Sequence, residues 1–153
     1  MRREKMIILS LLLGLSVLYL PLLEAFSQYV PLPEGIEITA PSQDVPKEIA
    51  AFSGTWQGVW DGQLDSILIV VEIDSEEAKV IYAWGDNARF NIRKGFSNHI
   101  AKVPPGSKPK IEWGDGKKSP KFEFSMRKNL KELWGTRYFK GMSSTILMKK
   151  DVQ

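Results

Sequence analysis

The sequence of 153 residues contains no cysteine and a single histidine, His99. The first absence removes disulfides, so an apolar core alone must hold any exported form of the chain, and it removes the thiol that a lipid anchor would modify. The second, added to it, leaves zinc, haem and thiol chemistry without most of their usual ligands. No Asn-x-Ser/Thr sequon is present, which points away from a glycosylated secretion product and towards a bacterial envelope or secreted protein. A Gly-rich phosphate loop is also missing, because Gly114-Asp115-Gly116 joins two predicted strands and not a strand to a helix. The serines lack the context of a nucleophile elbow, and no repeat of 20–50 residues is visible.

What is present begins with an export signal. Arg2, Arg3 and Lys5 precede an apolar run from Met6 to Leu20 that Pro21 breaks, and Ala25-Phe26-Ser27 offers small residues where a signal peptidase cuts. Cleavage after Ser27 is the first reading and after Ala25 the second. The third is an uncleaved anchor, since Met6 to Leu23 makes 18 residues, at the lower edge of what spans a bilayer. Residues 1–27 are therefore read as signal peptide or signal anchor. Residues 28–45 read as a tether, because they carry Pro31, Pro33 and Pro41 and no sustained apolar period. A short helix over Lys47–Phe52, with Pro46 in its first turn and Asp44 as its cap, leads into the folded domain at 46–150.

From Phe52 onward the sequence alternates apolar and polar residues with brief interruptions. Phe52, Gly54, Trp56, Gly58 and Trp60 share one face of the first predicted strand. Ile67, Ile69, Val71 and Ile73 share a face of the second, and Val80, Tyr82 and Trp84 of the third. Ala88–Phe96 is read as a strand with Phe90 and Ile92 together, and His99–Val103 as a continuation of the sheet. Lys110–Trp113, Lys121–Arg127, Leu130–Phe139 and Ser144–Lys150 follow, with Phe122, Phe124 and Met126 alternating cleanly. These runs predict an all-β fold, an antiparallel up-and-down barrel of about eight strands whose interior is filled by side chains or admits one small ligand. Should the barrel fail to close, its open edges would favour a dimer.

Two short motifs mark the ends of this stretch: Gly54-Thr55-Trp56 on the first strand and Gly135-Thr136-Arg137 on the second-to-last. With Phe52-Ser53 before them, they resemble the calycin superfamily of lipocalin-like and avidin-like small barrels. The string Gly54–Trp60 with Tyr82–Asp86 also resembles small exported bacterial domains. The resemblance covers residues 46–150 and implies that Trp56 packs across the closed end with Arg137 lying over it, a barrel-closing cation–π pair. Without disulfides and with a short barrel, a filled interior is expected over a wide cup.

The candidate functional residues are few. Trp60, Tyr82 and Trp84 lie near turns, where a mouth would be, and are the predicted contacts for a small apolar or amphipathic molecule. Tyr82 and Trp56 also read as core, and Trp60 and Trp84 read equally either way. Charge is divided along the chain: residues 28–86 carry 2 basic and 11 acidic side chains, residues 87–153 carry 16 basic and 5 acidic. Lys117, Lys118, Lys121, Arg127, Lys128 and Lys131 would form a basic face for an anionic membrane or envelope polymer. The plainer reading is two solvated sheet faces. Nucleic acid is not an expected partner, because residues 28–153 carry a net charge of only +2. Asp61, Asp65 and Glu72 lack readable partner spacing for acid–base work, and His99 has no visible partner, so no enzyme, metal or cofactor is expected. The expectation is an exported, periplasmic or secreted, non-catalytic lipocalin-like domain. Its alternative is a structural or interaction domain of the envelope with a filled barrel and a basic surface.

Overall fold

The structure, a computed structural model, describes residues 29–151; the expected leader at 1–27 lies outside them. Eight antiparallel strands close into a barrel in simple chain order. They are β1 (Gly54–Trp60), β2 (Leu64–Ile73), β3 (Glu77–Trp84), β4 (Gly95–Lys102), β5 (Lys110–Trp113), β6 (Lys121–Met126), β7 (Glu132–Phe139) and β8 (Met142–Lys150). Closure is made between β1 and β8, where Trp56 pairs with Lys150 and Gly58 with Met148. Up-and-down order puts four connections (β1–β2, β3–β4, β5–β6, β7–β8) at one end, called the mouth end, and the rest at the other.

That other end is plugged. A single helical turn, α1 (Lys47–Ala50), precedes β1, and Phe52 and Trp56 behind it are fully buried. The turn is shorter than the Lys47–Phe52 expected and Pro46, not Asp44, is its cap residue; the Asp44 carboxylate accepts from Ser42 instead.

Alternation sets the interior, but not with the face expected in β2. Pairing of Ser66 with Trp84, Leu68 with Tyr82 and Val70 with Val80 turns this even-numbered set inward, and Ile67 and Ile69 outward. A bulge at Val71 then shifts the register, so that Glu72 pairs with Lys79 on the outside and Ile73 returns to the core. One extra residue reverses which parity faces in. Outward Ile69 is nonetheless only 2% exposed. The Pro-rich segment meets this wall at Thr39, whose N–H donates to the Val71 carbonyl (2.8 Å), and Val45 at its end is buried, while most of residues 29–44 are exposed or half-exposed.

The strand expected over Ala88–Phe96 is also corrected. Ala88–Phe90 is a 3-10 turn capped by the Asn87 side chain, and Asn91 adopts a left-handed φ of 52°. Asn at both positions favours the turn over the apolar pair Phe90 and Ile92, and β4 starts only at Gly95.

On the outside of β5 and β6, Glu112 and Glu123 face each other across the ladder. Lys110 and Lys121 neutralise them, at 2.9 Å to Glu112 and 2.7 Å to Glu123 respectively. The β4–β5 seam is the thin part of the wall, with Lys102 and Glu112 as its sole register pair. Gly135 in β7 shows how tightly the interior is filled. A Cβ there would lie 2.5 Å from both Ile146 Cγ2 and Phe124 Cε1.

Candidate functional site

At the mouth end the inward residues of six strands meet in one aromatic cluster. Trp60 Nε1 donates to Tyr82 Oη at 2.7 Å, and that hydroxyl donates to Ser66 Oγ at 3.2 Å. Tyr82 lies 4.9 Å from Phe122 and 5.8 Å from Trp84, centroid to centroid. Phe122 in turn stacks on Trp113 at 5.0 Å, and Trp113 stacks on His99 at 5.3 Å. Each aromatic polar atom that burial would penalise needs a partner. Trp60 and Tyr82 supply one to each other, while Trp113 Nε1 is buried with none.

The three residues predicted to contact a ligand are thus brought together, but mainly against one another. Trp60 and Tyr82 are each 5% exposed. Trp84 is half-buried, its Nε1 donating to the Arg93 carbonyl at 2.7 Å, and Gly95 lies under its ring. Trp113 and Phe122 complete the cluster and were not singled out from sequence. Their period-two placement opposite each other across β5 and β6 was the available signal. Burial pushes the Tyr82 phenol above its ordinary range and the His99 imidazole below its own. His99 Nε2 is 2.7 Å from Ser97 Oγ.

The cation over Trp56 is Lys150, with Nζ 5.0 Å from the ring centroid. Its ammonium also donates to the Ala51 carbonyl at 2.9 Å. The Arg137 expected there pairs with Phe122 and Ser144 near the mouth end, and its guanidinium carbon lies 5.8 Å from the Phe139 ring. Register is the reason: the β8 residue opposite Trp56 is Lys150, whereas Arg137 sits towards the other end of the barrel.

Of the three carboxylates, Glu72 stands apart from Asp61 and Asp65. Asp61 lies in the β1–β2 turn, Asp65 pairs with Val59, and Glu72 is ion-paired on the outer wall with Lys79 at 2.6 Å. Among the described residues no group of three His, Asp or Glu is placed to hold a metal. The six basic residues proposed as one face are split. Lys117 and Lys118 stand at the mouth end, Lys121 is tied to Glu123 and Glu112, and Arg127, Lys128 and Lys131 lie at or beside the opposite end, with Arg127 paired to Glu132.

Two concavities among the described residues lie on the wall. One, about 360 Å³, is an open groove lined by Val71, Lys79, Ile81, Asn98 and Ile100 among others. The second, about 300 Å³, lies at the β4–β5 seam, between Ile100, Lys102, Glu112 and Asp115. Trp60, Tyr82 and Trp84 line neither, but two other members of the cluster do, His99 the first and Trp113 the second. Comparison of this chain with protein-family models, with curated proteins and with solved structures found no match to any of them.

Proposed function

We propose that this chain is a non-catalytic interaction domain of the bacterial envelope, exported through residues 1–27, whose calycin-like barrel is a filled scaffold and whose outer surface is the working part. One observation carries the reading. The positions where a small barrel would receive a ligand are occupied by Trp60, Tyr82, Phe122 and Trp113, in van der Waals and hydrogen-bond contact. A small apolar molecule bound by Trp60, Tyr82 and Trp84 would have to separate these rings and break the Trp60–Tyr82 bond. That opening works against edge and stacked ring contacts worth about 0.5–1.5 kcal/mol each beyond their area. The separation of Glu72 from Asp61 and Asp65, together with the lone His99, supports a non-catalytic role.

Native mass spectrometry of protein isolated from its own envelope, followed by denaturation of the same sample, tests the reading. A bare polypeptide mass at every expression level is the expected result. A co-purified mass that leaves on denaturation would replace the scaffold with a ligand-binding barrel.

A further inference from the structure

The three most exposed large apolar side chains of the described residues are Tyr29 (71%), Met142 (69%) and Phe90 (58%). All three stand at the mouth end. Phe90 is in the β3–β4 connection and Met142 begins β8 beside the β7–β8 turn. Tyr29 is held there by Lys94, whose Nζ lies 4.9 Å from the ring centroid. These three thus collect at one end, while Ile100 (55%) and Trp134 (42%) stand on the outer wall nearer the plugged one.

Charge at this end has one predominant sign. The four mouth-end connections carry Arg89, Arg93, Lys94, Lys117, Lys118 and Lys140 against Asp61, Asp86 and Asp115. Two of those three acids accept backbone N–H groups within their own loops: Asp86 from Lys94, and Asp115 from Lys117, Lys118 and Ser119. None of the six cations makes an ion pair among the described residues. Arg89 instead lies over Phe90, its guanidinium carbon 5.5 Å from the ring centroid. The loops hold together, since Lys140 N–H donates to the Gly116 carbonyl at 3.2 Å.

The third observation is where the chain leaves the described domain. The apolar run ends at Leu23, and five residues separate it from Tyr29. Fully extended, that connection reaches about 20 Å. If the run is retained in a bilayer, the mouth end is the end held within that distance of the surface.

From these we propose that the mouth end docks on an anionic lipid bilayer. Arg89, Arg93, Lys94, Lys117, Lys118 and Lys140 face the headgroups, and Tyr29, Phe90 and Met142 enter the interfacial layer. Exposed aromatic rings favour that layer, and basic residues near an anionic leaflet are attracted to it. The plugged end then points away from the membrane, and the outer wall with its two concavities stands upright on the surface. The proposal rests on the outer surface being the working part, and adds the partner and the orientation.

The absence of native cysteine allows a direct test on the full chain. A polarity-sensitive thiol probe is placed at Phe90→Cys or Met142→Cys, and at the plugged end at Ser75→Cys or Lys128→Cys. Each protein is mixed with phosphatidylcholine–phosphatidylglycerol vesicles (two to one) and with phosphatidylcholine vesicles, and an aqueous quencher is titrated. The expected result is several-fold shielding of the probes at 90 and 142 in anionic vesicles alone, with those at 75 and 128 fully quenched. Shielding should fall as salt is raised, and should vanish in a variant with all six cations changed to Gln that keeps its circular dichroism spectrum. Each charge removed lowers the attraction about fivefold.

Equal quenching at all four positions overturns the proposal, as does shielding at 75 or 128, or shielding that phosphatidylcholine alone provides. Equal protection by soluble polyglutamate would identify a polyanion and not a membrane. A ligand in the native mass spectrum with these probes still shielded would remove the scaffold reading and leave the membrane face standing.

Discussion

The two ends of this barrel are closed by different chemistry. At the plugged end the chain seals itself: Phe52 and Trp56 are fully buried, Trp56 Nε1 donates to the Phe52 carbonyl at 2.8 Å, and Lys150 caps the ring. At the mouth end, closure comes from a cluster with polar atoms inside it: Tyr82 Oη between Trp60 and Ser66, His99 beside Ser97, and an unpartnered Trp113 Nε1. The first closure is local in sequence at Phe52–Trp56 and depends on apolar burial. The second is assembled from distant strands and depends on hydrogen bonds in a low-dielectric interior, where a lost partner is expensive. The mouth end is therefore the one more sensitive to the loss of a single polar partner, and the most exposed apolar side chains and unpaired basic groups gather on its rim.

Breaking the plugged end should have the largest effect. Trp56→Ala removes a fully buried indole and is expected to cost about 3–5 kcal/mol, read as a lower urea midpoint with the slope unchanged. A loss below about 1 kcal/mol would mean that the plug does not anchor the fold. At the mouth end, Tyr82→Phe keeps the ring but strands Trp60 Nε1 and Ser66. The expected loss is about 1–3 kcal/mol by the same measurement.

Much of this was readable from alternation. Phe122, Phe124 and Met126 are inward as their period required, and Val80, Tyr82 and Trp84 likewise. Parity could not be carried through β2, because the bulge at Val71 adds a residue that leaves no mark in apolar spacing. The turn at Ala88–Phe90 was signalled by Asn87 and Asn91, but Phe90 and Ile92 imitate a strand. Which cation covers Trp56 depended on the β1–β8 register, a long-range quantity that local pattern does not contain. At the candidate site, the position of Trp60, Tyr82 and Trp84 near a mouth was legible. Their mutual packing with Trp113 and Phe122 was not, since it follows from how the five strand pairs from β1 to β6 align.

The contrast between Lys150 and Arg137 sharpens that point. Lys150→Met deletes the carbonyl bond and the cation over Trp56, and should destabilise by about 1 kcal/mol in chemical denaturation. Arg137→Gln should change stability by less than half of that, since its guanidinium makes no hydrogen bond or ion pair among the described residues, lying 5.8 Å from the Phe139 ring and near enough to Tyr82 to favour the ionised phenol. The reverse order would return the closing role to Arg137.

The smallest expected effect is a pH dependence. Burial holds the His99 imidazole below its ordinary value of 6.5, so the unfolded chain binds its proton first as pH falls. The His99 contribution is fully present above pH 6.5 and declines as pH drops towards the folded value. Denaturation curves of His99→Gln should lose this slope, and an unchanged slope would assign it to another group.

The central claim is that the mouth-end interior is filled and stays filled. Hydrogen exchange at the five indole N–H groups, followed by NMR on the full chain, tests it directly. The account predicts strong protection at Trp56, Trp60 and Trp113 and rapid exchange at Trp134, which is 42% exposed. Exchange at Trp60 and Trp113 as fast as at Trp134 would show a mouth that opens to solvent, and would contradict the account.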